Sequence, residues 1–342
     1  MSAPPPRGRR TLKDTTVTDY PGWLFTLVGP AGAGKNHLMG DALARVTTLR
    51  QLPTATTRAI RPTEQEGREH YYLTRAAFEK LIGEGALLEY QPIHGNLYGM
   101  LRQTVEDALR DGRHVIADID ILGALRARDL FPDNVICIFI QPPSIAALIE
   151  RMRKRETKKT PDERDAEIAK RLVRVPMELA RAADCDYHIL NDDAKRAADL
   201  LMRVIDGVIA GQPLSQLPTD EMLTTCAFRY VVTALPVWND EQLTRVEGEP
   251  LTIPLPLDEL YPHHAALNAV SNALNLHLDD SDVIGGTPEG AFIPPLTFSA
   301  HEDECEEVIT FAYHIRLPAR IDPPSGWHWT PIHAPLGILE TA

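Results

Sequence analysis

Lysine disappears from this 342-residue chain after Lys195. Residues 212–342 hold only 4 arginines and no lysine against 19 Asp and Glu, whereas residues 1–211 hold 31 Lys and Arg against 29 acids. So acidic a surface argues against nonspecific binding of nucleic acid or anionic membrane by the second part. Such a break in charge, in a chain longer than one hydrophobic core usually supports, points to two domains.

Cysteine is scarce too. Cys137, Cys185, Cys226 and Cys305 are far apart and form no CxxC pair, which speaks against a disulfide framework or a zinc knuckle. No apolar run reaches membrane-spanning length, and the start, MSAPPPRGRRTLKDTT, has charge and proline but no apolar segment of the signal-peptide kind. The expectation is a cytoplasmic protein with reduced thiols and a disordered tail over residues 1–21.

What is present alternates. WLFTLV (23–28), VIADID (115–120), VICIFI (135–140) and DYHIL (186–190) read as buried strands. Helical patterns run over Thr74–Ile82, Thr104–Leu109, Ser144–Arg155, Asp162–Ala182 and Ala194–Ile209. Strands alternating with helices predict an α/β fold, a parallel sheet with helices on both faces. GQPLSQLPTD then reads as a linker, giving a first domain over 22–210, a linker over 211–219 and a second domain over 220–342. In the second domain FRYVVTALPVW, LTIPLPL, GAFIPPLTFSA and EVITFAYHIRLP read as strands and His264–Leu276 as a helix, a small α+β or mostly β unit. His301 to Cys305 place metal-ligating residue types side by side, but with no HxH or HxxxH spacing they read as a solvated acidic turn.

The first strand runs into GPAGAGKN, residues 29–36. Gly29, Gly34 and Lys35 meet the phosphate-loop pattern, in which backbone N–H groups and a helix N-terminus face nucleotide phosphates and a lysine neutralises their oxygens. Pro30, Ala31, Gly32, Ala33 and His37 complete the cradle. Asn36 stands where the pattern has a hydroxyl for Mg²⁺. An amide oxygen can still ligate Mg²⁺ directly or through water.

Further motifs follow in order: TTRAIRPTEQEG (56–67), LLEYQPIHGNLYG (87–99), HVIADID (114–120), IERMRKRET (149–157) and ILNDD (189–193). Together they resemble guanylate kinase over about residues 22–208. The resemblance implies ATP and Mg²⁺ as cofactors and small-molecule nucleotides as partners. It implies that Thr54, Arg58, Arg61, His70 and Tyr98 bind the acceptor monophosphate, two guanidinium forks suiting a dianion. Glu89 would accept from guanine N1–H and the 2-amino group, with Asp118 and Met100 also facing the base. Asp120, with Asn36, would order the metal shell; Asn191 would lie near the donor adenine; and Arg151, Arg155 and Arg171 would close over the transferring group.

His70 and Met100 depart from the family pattern, which has a tyrosine and a hydroxyl there. Met100 therefore leaves open another acceptor, such as a modified purine nucleotide or ribose 1,5-bisphosphate. A non-catalytic interaction module of the same fold is a further reading, against which the retained Lys35 speaks.

Overall fold

The computed structural model describes residues 20–93, 95–155, 160–221, 227–239, 241–245, 251–255, 262–283, 297–303 and 306–332. The chain forms two compact units, one from residues 20–143 and 181–221, the other from 144–180 and 227–332.

The elements of the first stretch are β1 (Leu24–Val28), α1 (Lys35–Arg45), β2 (Leu49–Gln51), β3 (Thr54–Thr56), β4 (His70–Tyr72), α2 (Arg75–Gly83), β5 (Leu87–Ile93), β6 (Asn96–Leu101), α3 (Arg102–Arg110), β7 (His114–Asp118), α4 (Ile121–Leu130) and β8 (Val135–Gln141). Then come α5 (Ile145–Arg155), α6 (Pro161–Leu172) and α7 (Val175–Ala180), which belong to the other unit, before β9 (Tyr187–Leu190) and α8 (Ala194–Ile209) return to the first. The acidic part contributes β10 (Ala227–Trp238), β11 (Glu241–Arg245), β12 (Leu251–Pro254), α9 (Pro262–Leu274), β13 (Thr297–Asp303), β14 (Glu306–Arg316) and β15 (Trp327–Pro331).

The expected parallel sheet is present, in the order β2-β7-β1-β8-β9. Every residue of β1 and β8 is buried, as continuous apolar strands covered on both faces should be. One face packs α1 and α8 through Leu38, Leu201 and Ile205; the other packs α3 and α4 through Val105, Leu109 and Ala127. A second sheet, β4-β3-β6-β5, is not visible in the hydrophobic pattern, because β3 and β4 have only three residues each.

The single helix expected over Asp162–Ala182 is broken. Pro176 has no N–H for the carbonyl of Leu172, so α6 stops there and α7 begins afresh. The segment expected as a free linker is seated on β9 and α8: Leu217 is buried, the Tyr187 hydroxyl donates to Leu214 O at 2.9 Å, the Asp220 N–H donates to His188 O at 2.8 Å, and Arg196 pairs with Asp220 at 2.9 Å. Cys137 and Cys185, 48 residues apart in sequence, meet as buried thiols with 3.4 Å between sulfurs.

In the second unit the strands expected at FRYVVTALPVW and EVITFAYHIRLP and the helix near His264–Leu276 are present. Residues 256–257 of LTIPLPL and 290–296 of GAFIPPLTFSA lie outside the described residues. The described strands form a mixed sheet ordered β13-β14-β10-β11-β15 with β12 also on β10. The long β10 and β14 run parallel, while the other pairings are antiparallel. α9 packs on β10, β12 and β14, and α6 packs against β13. His301, Glu302 and Asp303 lie in β13 rather than in a turn; Glu304 and Cys305 fall outside the described residues.

Candidate functional site

The phosphate loop leaves β1 at Gly29, whose φ of +129° suits glycine and where a Cβ would sit 2.4 Å from Ile140 O. It ends at Gly34, φ +103°, which caps α1 without a side chain. The N-terminal end of α1 thus faces the loop with no acidic residue in its first turn, the arrangement an anionic ligand requires. Lys35 Nζ folds back to donate to Gly29 O (2.6 Å) and Pro30 O (3.3 Å), and stands 3.7 Å from the Asp118 carboxylate. Asn36 and His37 are exposed on the same turn.

Asn191 meets the phosphate loop from just beyond β9. It is buried, its Nδ2 donates to Ala33 O at 2.7 Å, and its own N–H donates to Gln141 O at 2.8 Å. Its side chain holds the loop from behind, close enough that a Cβ on Gly34 would lie 2.2 Å from Nδ2.

On the second sheet, Arg58 is clamped by Glu64 through two hydrogen bonds of 2.9 Å and lies 5.7 Å over the Tyr72 ring. Glu64 also accepts from the Tyr72 hydroxyl (2.8 Å) and the Arg61 N–H (2.9 Å). Burial works against ionising Glu64, but these donors outweigh it and hold its pKa below the usual carboxylate value. The Arg61 side chain is largely exposed, at 62 %. Thr54 Oγ1 lies 2.7 Å from His70 Nδ1, and the His70 ring meets that of Tyr98 edge-on at 6.0 Å. Burial first, then the charge of Arg58, lowers the His70 pKa and keeps its ring neutral at neutral pH. Thr54, Arg58, His70 and Tyr98 therefore come together, with Arg61 at their edge. Glu64 is the organiser that sequence reasoning passed over, although it is the acid of the TTRxxRxxExxG motif.

Glu89 lies on β5, against Gly123 of α4, where a Cβ would come within 2.6 Å of its carboxyl carbon. Its Oε2 is buried and has no hydrogen-bond partner among the described residues. Burial, and secondarily the charge of Asp120, pushes its pKa up to about 8. Met100, expected at the base, is fully buried and belongs to the core cluster beneath α3 and α4.

The two aspartates are not the alternating strand pair expected. β7 ends at Asp118; Asp120 lies beyond it as the N-cap of α4, accepting from the Leu122 N–H at 2.9 Å. Asp118 faces Lys35, and Asp120 is the one near Glu89. The placements are thus exchanged relative to the sequence expectation: Asp118 is at the phosphate end and Asp120 at the Glu89 end.

Arg151 and Arg155 lie on α5 and Arg171 on α6, within the second unit. Arg155 is exposed at the end of its helix, whereas Arg171 pairs with Glu167 at 3.0 Å.

A family model described as guanylate kinase matches residues 23–207. A guanylate kinase from Thermotoga maritima is 34% identical over 184 residues, covering 54% of this chain and 86% of the relative. Another, from Synechocystis sp., is 39% identical over 188 residues, covering 55% of this chain and 95% of the relative. A crystal structure of guanylate kinase from Anaplasma phagocytophilum aligns at 27% identity over 58% of this chain and 88% of that one, with a TM-score of 0.43.

Proposed function

The chain belongs to the guanylate kinase family, and from that premise we propose how its residues move the γ-phosphoryl group of ATP onto GMP, giving ADP and GDP. A phosphate oxygen of GMP forms the new bond to the γ-phosphorus, and the bond to the β–γ bridging oxygen breaks.

One observation carries the acceptor assignment: the buried Oε2 of Glu89, which has no hydrogen-bond partner among the described residues. Leaving a carboxylate oxygen without a donor is costly unless a ligand supplies one. Guanine N1–H and its 2-amino group are two parallel donors for two carboxylate oxygens, and their approach draws off the proton that burial otherwise retains. Asp120 joins Glu89 at the base end.

Arg58 and Arg61 grip the GMP phosphate, Arg58 pre-aimed by Glu64. His70, its Nδ1 2.7 Å from the Thr54 hydroxyl, offers the phosphate a ring nitrogen donor in place of a tyrosine hydroxyl. Lys35 exchanges its loop carbonyls for phosphate oxygens, and Asn191 keeps the loop in shape from behind. Asn36 and Asp118 present the amide and carboxylate oxygens that suit Mg²⁺, an ion that keeps several of its waters. Held there, Mg²⁺ would supply positive charge to the nucleotide phosphates. Arg151, Arg155 and Arg171, which the resemblance assigns to the charge of the transferring group, are carried on α5 and α6. Met100 packs in the core with Val105 and Ala117, and its side chain has no hydrogen-bond donor to offer a base.

The test is an acceptor panel: the full chain with ATP and Mg²⁺ against GMP, dGMP, AMP, CMP, UMP and ribose 1,5-bisphosphate, with ADP release as the readout. GMP and dGMP should dominate. Turnover favouring another acceptor would overturn the assignment.

A further inference from the structure

The second unit carries a group of side chains that phosphoryl transfer does not use. His263 and His264 open α9, and Asp280 begins the short 3-10 turn Asp280–Asp282. Their ligand atoms lie within 4.8 Å of one another. His263 Nε2 is 3.7 Å and His264 Nε2 3.4 Å from the same oxygen, Oδ1 of Asp280.

Those separations are informative. They exceed the roughly 2.7–3.2 Å of an ordinary hydrogen bond. Two donors held about 2.1 Å from a tetrahedral ion stand about 3.4 Å apart by simple geometry, so both spacings are close to the edges of a coordination polyhedron. We propose that His263, His264 and Asp280 form a binding site for a divalent transition-metal ion of the Zn²⁺ class, with the remaining coordination position left to water.

Imidazole nitrogens paired with one carboxylate select zinc, cobalt or nickel over the hard Mg²⁺ that serves the kinase chemistry. His263 is 2 % exposed, so its ring is held in place by the packing around it. The two rings stand 4.4 Å apart, and His263 also lies beside Tyr313 in the core of the unit. The turn that presents Asp280 is fixed by a reciprocal cap between Asp279 and Asp282, with Ser281 N–H donating to Asp279 at 2.9 Å. The positive end of the α9 dipole opposes a cation here, and the neighbouring acids Asp279 and Asp282 offset it. Three ligands and that opposition make a reversible site that fastens the start of α9 to the 280–282 turn.

The experiment uses the full chain, freed of metal by chelation and without nucleotide. It is titrated with Co²⁺ while the visible d–d absorption is followed, and Zn²⁺ is then added as competitor. The proposal expects one equivalent of Co²⁺ in a four- or five-coordinate spectrum, displaced by Zn²⁺, and a melting temperature raised by Zn²⁺. His264→Ala and Asp280→Asn alter exposed side chains, so both variants should fold, with unchanged circular dichroism and unchanged Mg²⁺-dependent phosphoryl transfer. Each should weaken Co²⁺ binding by more than the roughly 10–100-fold that loss of an outer-shell partner costs. No saturable binding by the parent chain, or parental affinity and spectrum in either variant, would overturn the site.

Discussion

Met100 stands opposite Glu89 across the antiparallel β5–β6 pair, and directly opposed residues share one face of a sheet. A fully buried thioether thus lies where the family pattern places a hydroxyl, beside the carboxylate proposed to read the base. The departure at Met100 falls next to Glu89 in the sheet. It contributes apolar burial and offers no donor to Oε2.

Met100→Thr should therefore do two things. Trading a buried methionine for a smaller side chain opens space in the core and should cost about 2–4 kcal/mol of stability, seen in denaturant midpoints. Its new hydroxyl can donate to Oε2, favouring the ionised carboxyl by about 1 kcal/mol and lowering the Glu89 pKa by somewhat under one unit. A Met100→Thr chain as stable as the parent would show that Met100 is not the core residue described.

The Glu89 pKa of about 8 has a kinetic consequence with a definite sign. GMP needs the ionised form, and the protonated form dominates in the free protein below that pKa. kcat/KM for GMP should then fall about tenfold per pH unit as pH drops below 8, and level off above it. Glu89→Gln, which cannot titrate, should abolish this limb and lower kcat/KM by about 2 kcal/mol or more, through the loss of a charged hydrogen-bond acceptor. A limb that survives in the glutamine variant would assign the titration to another group.

Glu64 clamps Arg58, Arg61 and Tyr72 at once, so it should behave as an acceptor-site residue without being a phosphate ligand. Glu64→Ala should raise KM for GMP more than it changes kcat, with a loss in kcat/KM of about 1.5–3 kcal/mol, while KM for ATP stays near the parent value. Equal effects on both substrates would mean that the sheet has unfolded instead.

Much of the first unit was legible, because a phosphate loop, two arginines in TTRxxR and Glu89 in its own motif are local signals. Strand runs such as VICIFI and the helix Ala194–Ile209 were legible for the same reason, since burial on one or both faces writes itself into consecutive residues. What escaped depends on residues far apart in sequence. The contact of Asn191 with Ala33 cannot be read until β9 is placed next to β8. Asp118 and Asp120 read as an alternating pair until the strand ends between them and the second becomes a helix cap. His263 and His264 carry no spacing signal, because their third partner lies beyond the helix at Asp280.

The segment 212–220 gives a prediction about where the phosphate-loop unit ends. We propose residues 22–210 as the kinase domain with its edge completed by this segment, since Leu217, Thr219 and Asp220 are seated on β9 and α8. A chain ending at Glu221 should be more stable to heat than one ending at Gly211, by the burial of Leu217 and the Asp220–Arg196 pair, about 2–3 kcal/mol together. Equal melting temperatures would make the segment a linker after all.

The central claim is a working phosphoryl transfer to GMP in a loop that has Asn36 in place of a hydroxyl. Its most direct test is chromatographic analysis of products from the full chain with ATP, GMP and Mg²⁺, run beside Lys35→Ala. The parent should form ADP and GDP in equal amounts. The variant should lose about 100-fold or more of the rate, as removal of a charge-stabilising group does, with its circular dichroism unchanged. Absence of GDP from the parent, or GDP formed as fast by the variant, would contradict the account.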